Sequence, residues 1–104
     1  MLDVRKGDVF WCHLDKIRPC VVVSSNQNNY NNQNVIVVPV SATVRRTDLP
    51  THSVLKFKLN NKQQMTMTEF FYTVNREELF NYICSLSESD MRAVDWSIKK
   101  VLGL

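Results

Sequence analysis

The run Lys16-Ile-Arg-Pro-Cys-Val-Val-Val-Ser-Ser25 carries the most informative chemistry of the chain. Cys20 to Val23 is apolar and β-branched, so it suits a sheet interior. Pro19 cannot donate to a ladder and belongs at the first residue of a strand. Arg18 is thereby held at a strand rim by a stiff residue, and a fixed guanidinium there is suited to gripping an oxyanion or a phosphate. From this run alone, a plain surface arginine beside a strand is the competing reading. Two other residues could carry protons near neutrality, His13 and His52. His13 ends the first strand, close to Arg18 across a tight hairpin, and is otherwise a solvent-face histidine.

The elements that must position these residues follow from pattern and punctuation. Gly7-Asp8 turns the chain, and Val9–Leu14 reads as a strand with Phe10, Cys12 and Leu14 on one face. Asp15, Lys16 and Ile17 make a short connection to a second strand, Cys20–Ser24. Ser25–Asn34 is almost wholly Asn, Gln and Ser and reads as a polar loop with nothing to bury. Val35–Val40 is a third strand, and Ser41–Leu49 a second polar loop that carries Arg45 and Arg46. Ser53–Leu59 sets Leu55, Phe57 and Leu59 against Lys56 and Lys58, and Asn60-Asn61 turns the chain. In the next strand Met65, Met67 and Glu69 share a face opposite Thr66 and Thr68.

Asn75-Arg-Glu-Glu matches a capping pattern and opens one or two helical turns ending near Phe80. Tyr82–Leu86 is a short strand. Ser87 starts the main helix, with acids in its first turn, Met91, Val94, Ile98, Val101 and Leu102 at helical spacing, Lys99 and Lys100 in its last turn, and Gly103 as its stop. Many short strands with one good terminal helix predict a mainly β fold with α: a small, partly open β-barrel with the C-terminal helix packed against it.

Composition sets the bounds. At 104 residues and 44% hydrophobic, the chain is one globular domain, residues 1–104. No apolar run approaches the roughly 20 residues of a membrane span. The opening Met-Leu-Asp-Val-Arg-Lys-Gly-Asp has no apolar core of a secretory signal, which places the protein in the cytoplasm, away from membranes. Cys12, Cys20 and Cys84 lie in apolar segments, as buried reduced thiols do; neither a disulfide framework nor metal-ligand spacing is visible, so no metal or cofactor is expected. The net charge of +3 permits an anionic partner without demanding one.

Taken in order, these motifs resemble the MazF/PemK family of toxin endoribonucleases. Lys6-Gly-Asp-Val-Phe-Trp resembles the family opening, and Arg18-Pro19 with Val21–Ser24 its arginine-proline strand. Val37-Val-Pro-Val-Ser41 resembles the strand that ends in a hydroxyl residue, and Leu49-Pro-Thr-His52 the Leu-Pro-Thr-His run. Thr73–Leu79 and Ile83–Leu86 with the acidic helix start resemble its C-terminal third. The resemblance covers nearly the full length. It implies an SH3-like barrel of the CcdB/PemK type, a homodimer, metal-independent cutting of single-stranded RNA (mRNA), and a cognate antitoxin.

Cutting RNA without a metal uses its own 2′-hydroxyl as nucleophile, leaving a 2′,3′-cyclic phosphate and a 5′-hydroxyl. The resemblance makes Arg18 and Ser41 the catalytic pair, with serine where threonine is usual. Arg18 suits the extra charge of the transition state, because a guanidinium presents its donors in a fixed fork. The family also gives its arginine a proton-transfer role, although a pKa near 12.5 or above makes a poor base. His13 and Glu69, which matches a family glutamate, are the other candidates for proton transfer. Lys16, Asn26, Arg45, Arg46 and Glu69 are the candidate RNA contacts; for the Asn-rich stretch a solvated mobile loop is the alternative, and for the basic residues ordinary surface charge.

The chain departs from the family pattern in two places. The first loop has shrunk to about Asp15-Lys16-Ile17, and the glutamate often found there has no counterpart. Phe70 replaces a usual glutamine and Tyr72 a common basic residue; these aromatics could stack on bases, or Phe70 could be plain core. A CcdB-like toxin that binds a protein target and a non-catalytic RNA-binding barrel are the alternative functions.

Overall fold

The computed structural model describes residues 3–104; Met1 and Leu2, part of the opening run read above for a leader, lie outside the described residues. β1 (Asp8–His13) and β2 (Ile17–Val22) form the expected hairpin, with Val9 opposite Val21 and Cys12 opposite Arg18. β2 starts at Ile17 rather than Cys20, so Arg18 and Pro19 are strand residues, not a lead-in. The tight turn carries pairing right to its base, where His13 meets Ile17.

Ser25–Asn34 is not the loop that its composition predicts. Ser25 caps a short helix, α1 (Asn26–Asn31), its Oγ accepting from the Asn28 N–H at 3.2 Å. Asn29 is buried: its amide donates to the Ser24 carbonyl at 3.0 Å, and its Oδ1 accepts from Ser24 Oγ at 2.6 Å. Asparagine is a poor helix former, but capping and two buried hydrogen bonds override that preference here.

β3 (Asn34–Ser41) is the hub of the sheet. It pairs with β2 through Val37, Val38 and Pro39, with β6 (Tyr72–Asn75) through its first half, and with β5 (Lys62–Met67) through Val40 and Ser41. β4 (His52–Leu59) lies beyond β5, and β7 (Leu79–Ser85) beyond β1, giving the order β4-β5-β3-β2-β1-β7 with every pairing antiparallel. The result is a curled half-barrel sheet carrying the C-terminal helix α2 (Glu88–Leu102). Both faces of the central strands are covered. Phe10, Cys12, Cys20, Val22, Val35 and Val37 belong to one core cluster, and Val9, Val21, Val38 and Val40 to another, against which Met91 of α2 packs. That is why Cys20–Val23 and Val35–Val40 read as continuous apolar runs instead of alternating ones.

Asn75 does form a capping box with Glu78, but the helix it opens is a single 3₁₀ turn, Arg76–Glu78. β7 then begins at Leu79, three residues earlier than the sequence pattern places it, because Leu79 and Phe80 pair with Cys12 and Trp11 of β1. Glu69 lies past the end of β5, in the turn before β6, and so is not a strand partner of Met65 and Met67. α2 is as expected: Ser87 Oγ accepts from the Asp90 N–H, Val94 is fully buried, and Gly103 ends the helix at φ 72°. Among the described residues no helix is long and apolar enough to cross a membrane.

Candidate functional site

Arg18 of β2 and Ser41 of β3 line the same cleft. β2 and β3 pair as Val22–Val37, Val21–Val38 and Cys20–Pro39. Arg18 and Ser41 each lie two residues beyond the last of these pairs, where β3 has turned to pair with β5. Side chains of one face recur every second residue, so both extend the face of Cys20 and Val37 beyond the core cluster to its rim. The ladder between β2 and β3 stops at Cys20–Pro39, next to Pro19 of β2. Proline has no N–H to give a ladder, and the pair of prolines marks the point where the two strands cease to be bonded.

The rim opens into a cleft of about 370 Å³. It is lined by Trp11, Lys16, Ile17, Arg18 and Pro19 from the β1–β2 hairpin, by Val40 to Thr43 at the end of β3, and by Leu59, Asn60, Lys62 and Gln64 from the β4–β5 hairpin. That hairpin turns through Asn60 and Asn61, both left-handed at φ 52° and 63°, a conformation asparagine tolerates. Lys16, Arg18 and Lys62 give the lining three positive charges, and no acidic side chain is part of it. Ser41 Oγ accepts from the Thr43 N–H at 3.0 Å, which leaves the hydroxyl proton available to a ligand.

Arg18 has a partner just outside this lining. Its Nε and Nη2 donate to Asp15 Oδ1 and Oδ2 at 2.9 and 3.1 Å, a bidentate pair spanning the hairpin turn. The guanidinium holds the Asp15 carboxyl at about 2, below the usual carboxylate range, and the carboxylate in turn raises Arg18. The same two-pronged geometry joins Arg46 to Asp48 at 3.1 and 3.2 Å, out in solvent. Cys12 and Cys20, beneath Arg18, are fully buried, and desolvation pushes both thiols up.

Of the residues singled out from sequence, the cleft gathers Arg18, Ser41 and Lys16. His13 is exposed at the end of β1 and is not part of the lining. Glu69 belongs to a separate group: its Oε2 accepts from Thr51 Oγ1 at 2.6 Å, and its Oε1 lies 3.1 Å from His52 Nε2. His52 Nδ1 faces the carbonyls of Arg45 and Arg46, each at 3.1 Å, so this group ties the 41–51 loop to the end of β5. Arg45 and Arg46 ride on that loop, outside the cleft lining. Asn26 caps the backbone N–H of Lys6 at 2.7 Å and borders another hollow with Gln27, Tyr30 and Arg76. Sequence reasoning passed over Asp15, Trp11, Lys62 and Gln64. Asp15 was visible as the sole acid of a tight turn three residues from Arg18. Lys62 and Gln64 gave no signal, because only the β5–β3 pairing brings them to this rim. Among the described residues, no three of His, Cys, Asp and Glu converge as metal ligands would.

A curled antiparallel half-barrel with a C-terminal helix and a basic, hydroxyl-bearing rim places the chain among small, partly open β-barrel proteins. Residues 5–102 match the model of the PemK-like, MazF-like toxins of type II toxin–antitoxin systems, and the chain belongs to that family. It is 29% identical over 112 residues to "Endoribonuclease MazF" of Staphylococcus epidermidis, across 97% of this chain and 92% of the relative. Its fold superimposes on a mycobacterial endoribonuclease in complex with its cognate antitoxin with a TM-score of 0.86, at 24% identity, covering 97% of this chain and 96% of the other. A MazE–MazF structure from Deinococcus radiodurans matches with a TM-score of 0.81 at 14% identity, covering 100% and 99%.

Proposed function

We propose that the chain is a toxin endoribonuclease that cuts single-stranded mRNA in the cytoplasm, works as a homodimer and is neutralised by a cognate antitoxin protein. The observation that carries this reading is a single cleft that holds both Arg18 and Ser41 and is lined by three positive charges and no acid. The scissile phosphate sits against Arg18. As the 2′-oxygen attacks phosphorus and the 5′-oxygen departs, the phosphoryl oxygens gain charge, which the fixed guanidinium fork and the Ser41 hydroxyl meet with hydrogen bonds. Lys16 and Lys62 hold neighbouring phosphates as point charges, and Trp11 offers a ring face for an unstacked base. The chemistry supported is charge stabilisation by groups already in place, with His13 and Glu69 outside the lining.

Purified protein incubated with total RNA in EDTA is expected to give discrete fragments bearing 2′,3′-cyclic phosphate and 5′-hydroxyl ends. Arg18→Ala, which removes a rim side chain, is expected to give none while keeping the wild-type circular dichroism spectrum. Intact RNA with wild-type protein, or cutting that appears only when a divalent ion is restored, overturns the reading.

A further inference from the structure

The first loop, short as it is, contains a carboxylate aimed at the proposed phosphate-binding arginine. Asp15 takes Nε–H and one Nη2–H of Arg18, which is one edge of the guanidinium. Five N–H donors are fixed in one plane, so the other edge, formed by Nη1 and the second Nη2 proton, retains three. Arg18 lines the cleft and Asp15 does not. The carboxylate therefore occupies one edge of the guanidinium from outside the lining and leaves the Nη1/Nη2 edge free of Asp15. Both partners stand on fixed backbone. Leu14 packs against the core and its N–H donates to the Lys16 carbonyl at 3.0 Å, closing the turn, while Arg18 sits in β2 opposite buried Cys12.

We propose that Asp15 is a positioning residue: it orients Arg18 so that the Nη1/Nη2 edge, not the Nε edge, meets the scissile phosphate. This rests on the reading of the cleft as an RNA-cleaving site. Asp15 touches no reacting atom; it fixes the plane and the accessible edge of the group that does. The ionisation of the pair agrees with such a role, since Asp15 stays charged throughout the neutral range.

Charge alone predicts the opposite effect of removing Asp15. An arginine freed of a neighbouring carboxylate attracts phosphate more strongly, so a purely electrostatic or competing role gives tighter binding and equal or faster cutting. Positioning gives slower cutting with binding little changed, because orientation matters most in the transition state. The test has two arms. In the kinetic arm, Asp15→Ala and Asp15→Asn are expected to lower kcat about tenfold or more with KM within about threefold of wild type, as for a lost orienting contact. Wild-type or faster kcat overturns the proposal.

The second arm needs no cleavage. Inorganic phosphate is titrated into ¹⁵N-labelled protein, with the Arg18 side-chain resonances assigned by Arg18→Lys. Phosphate is expected to move the Nη signals while Nε–H keeps its wild-type position, and Asp15→Ala alone is expected to shift Nε–H. If phosphate drives Nε–H to its position in Asp15→Ala, the ligand displaces Asp15 and the proposal fails. Should the wild-type protein not cut RNA at all, the kinetic arm refutes the proposed function, while this arm still decides which edge Arg18 presents.

Discussion

Arg18 and Ser41 meet the same developing charge with different chemistry, so their variants should fail differently. Arg18→Lys keeps the charge but loses the planar fork that both Asp15 and a phosphate use, and cutting should fall nearly as far as in Arg18→Ala. Ser41→Ala removes one donor and should slow cutting roughly tenfold to a hundredfold, whereas Ser41→Thr keeps the hydroxyl and should stay active. Single-turnover rates on one RNA substrate check this; a fully active Arg18→Lys would reduce the arginine to a point charge. The pair with Asp15 also has a defined pH window. The folded-state value of Asp15 is depressed, so the ion pair is fully in place above the ordinary value of 3.8 and is lost only as pH falls through about 2. The Asp15 carboxyl carbon should titrate near 2 in the wild type and move up toward the ordinary value in Arg18→Ala. A wild-type midpoint near 3.8 would mean that the pair does not persist in solution.

At the scale of elements, α2 is tied to the sheet by a carboxylate rather than by apolar contacts alone. The β4–β5 register shifts between Val54 and Lys58, and the irregular stretch leaves backbone N–H groups without ladder partners. Buried Asp90 accepts from two of them, Lys56 at 2.8 Å and Phe57 at 3.0 Å. Asp90→Ala should cost roughly 2–4 kcal/mol, the scale of stranding buried donors, and Asp90→Asn should also destabilise because its amide would point a donor at a donor. Urea unfolding measures both, and a loss under about 0.5 kcal/mol, typical of an unremarkable surface change, would deny the contact any structural weight. Asp90 also shows where sequence reading reached and where it stopped. Its place in the first turn of a capped helix was plain from Ser87 and the acids around it. Its bonds to β4 were not, since they cross 33 and 34 residues of chain. The same division holds at the site. The hairpin, the apolar runs and the hydroxyl ending β3 are local patterns and were legible, as was Arg18 at the rim. Lys62 and Gln64 reach the cleft through nonlocal pairing, and α1 forms because Ser24 and Asn29 bond each other, which composition does not encode.

At the scale of the whole molecule, half a barrel leaves an edge strand, β4, and exposed apolar side chains, Val54 on that strand and Trp96 and Leu102 on α2. Symmetric pairing is a common way to cover such surfaces, and a homodimer is expected at micromolar concentration; a stable monomer that still cuts RNA in sedimentation and activity assays would remove the dimer from the mechanism. The overall charge of +3 is too small to steer RNA by itself, so affinity must come from where the charge is gathered. Three basic side chains line the cleft. If each neutralises one phosphate of a single strand, the slope of log K against log salt should be about −2 per cleft, from about −0.7 per contact. Lys62→Ala should make that slope shallower by about 0.7 while leaving the cleavage positions unchanged, because a phosphate contact sets affinity and register but reads no base. An acidic antitoxin segment seated on the same cleft would meet the same three charges, so its inhibition should weaken with salt and with Lys62→Ala in parallel. Inhibition that keeps its full strength in Lys62→Ala, or a neutralised complex that still binds RNA, would place the antitoxin elsewhere on the molecule.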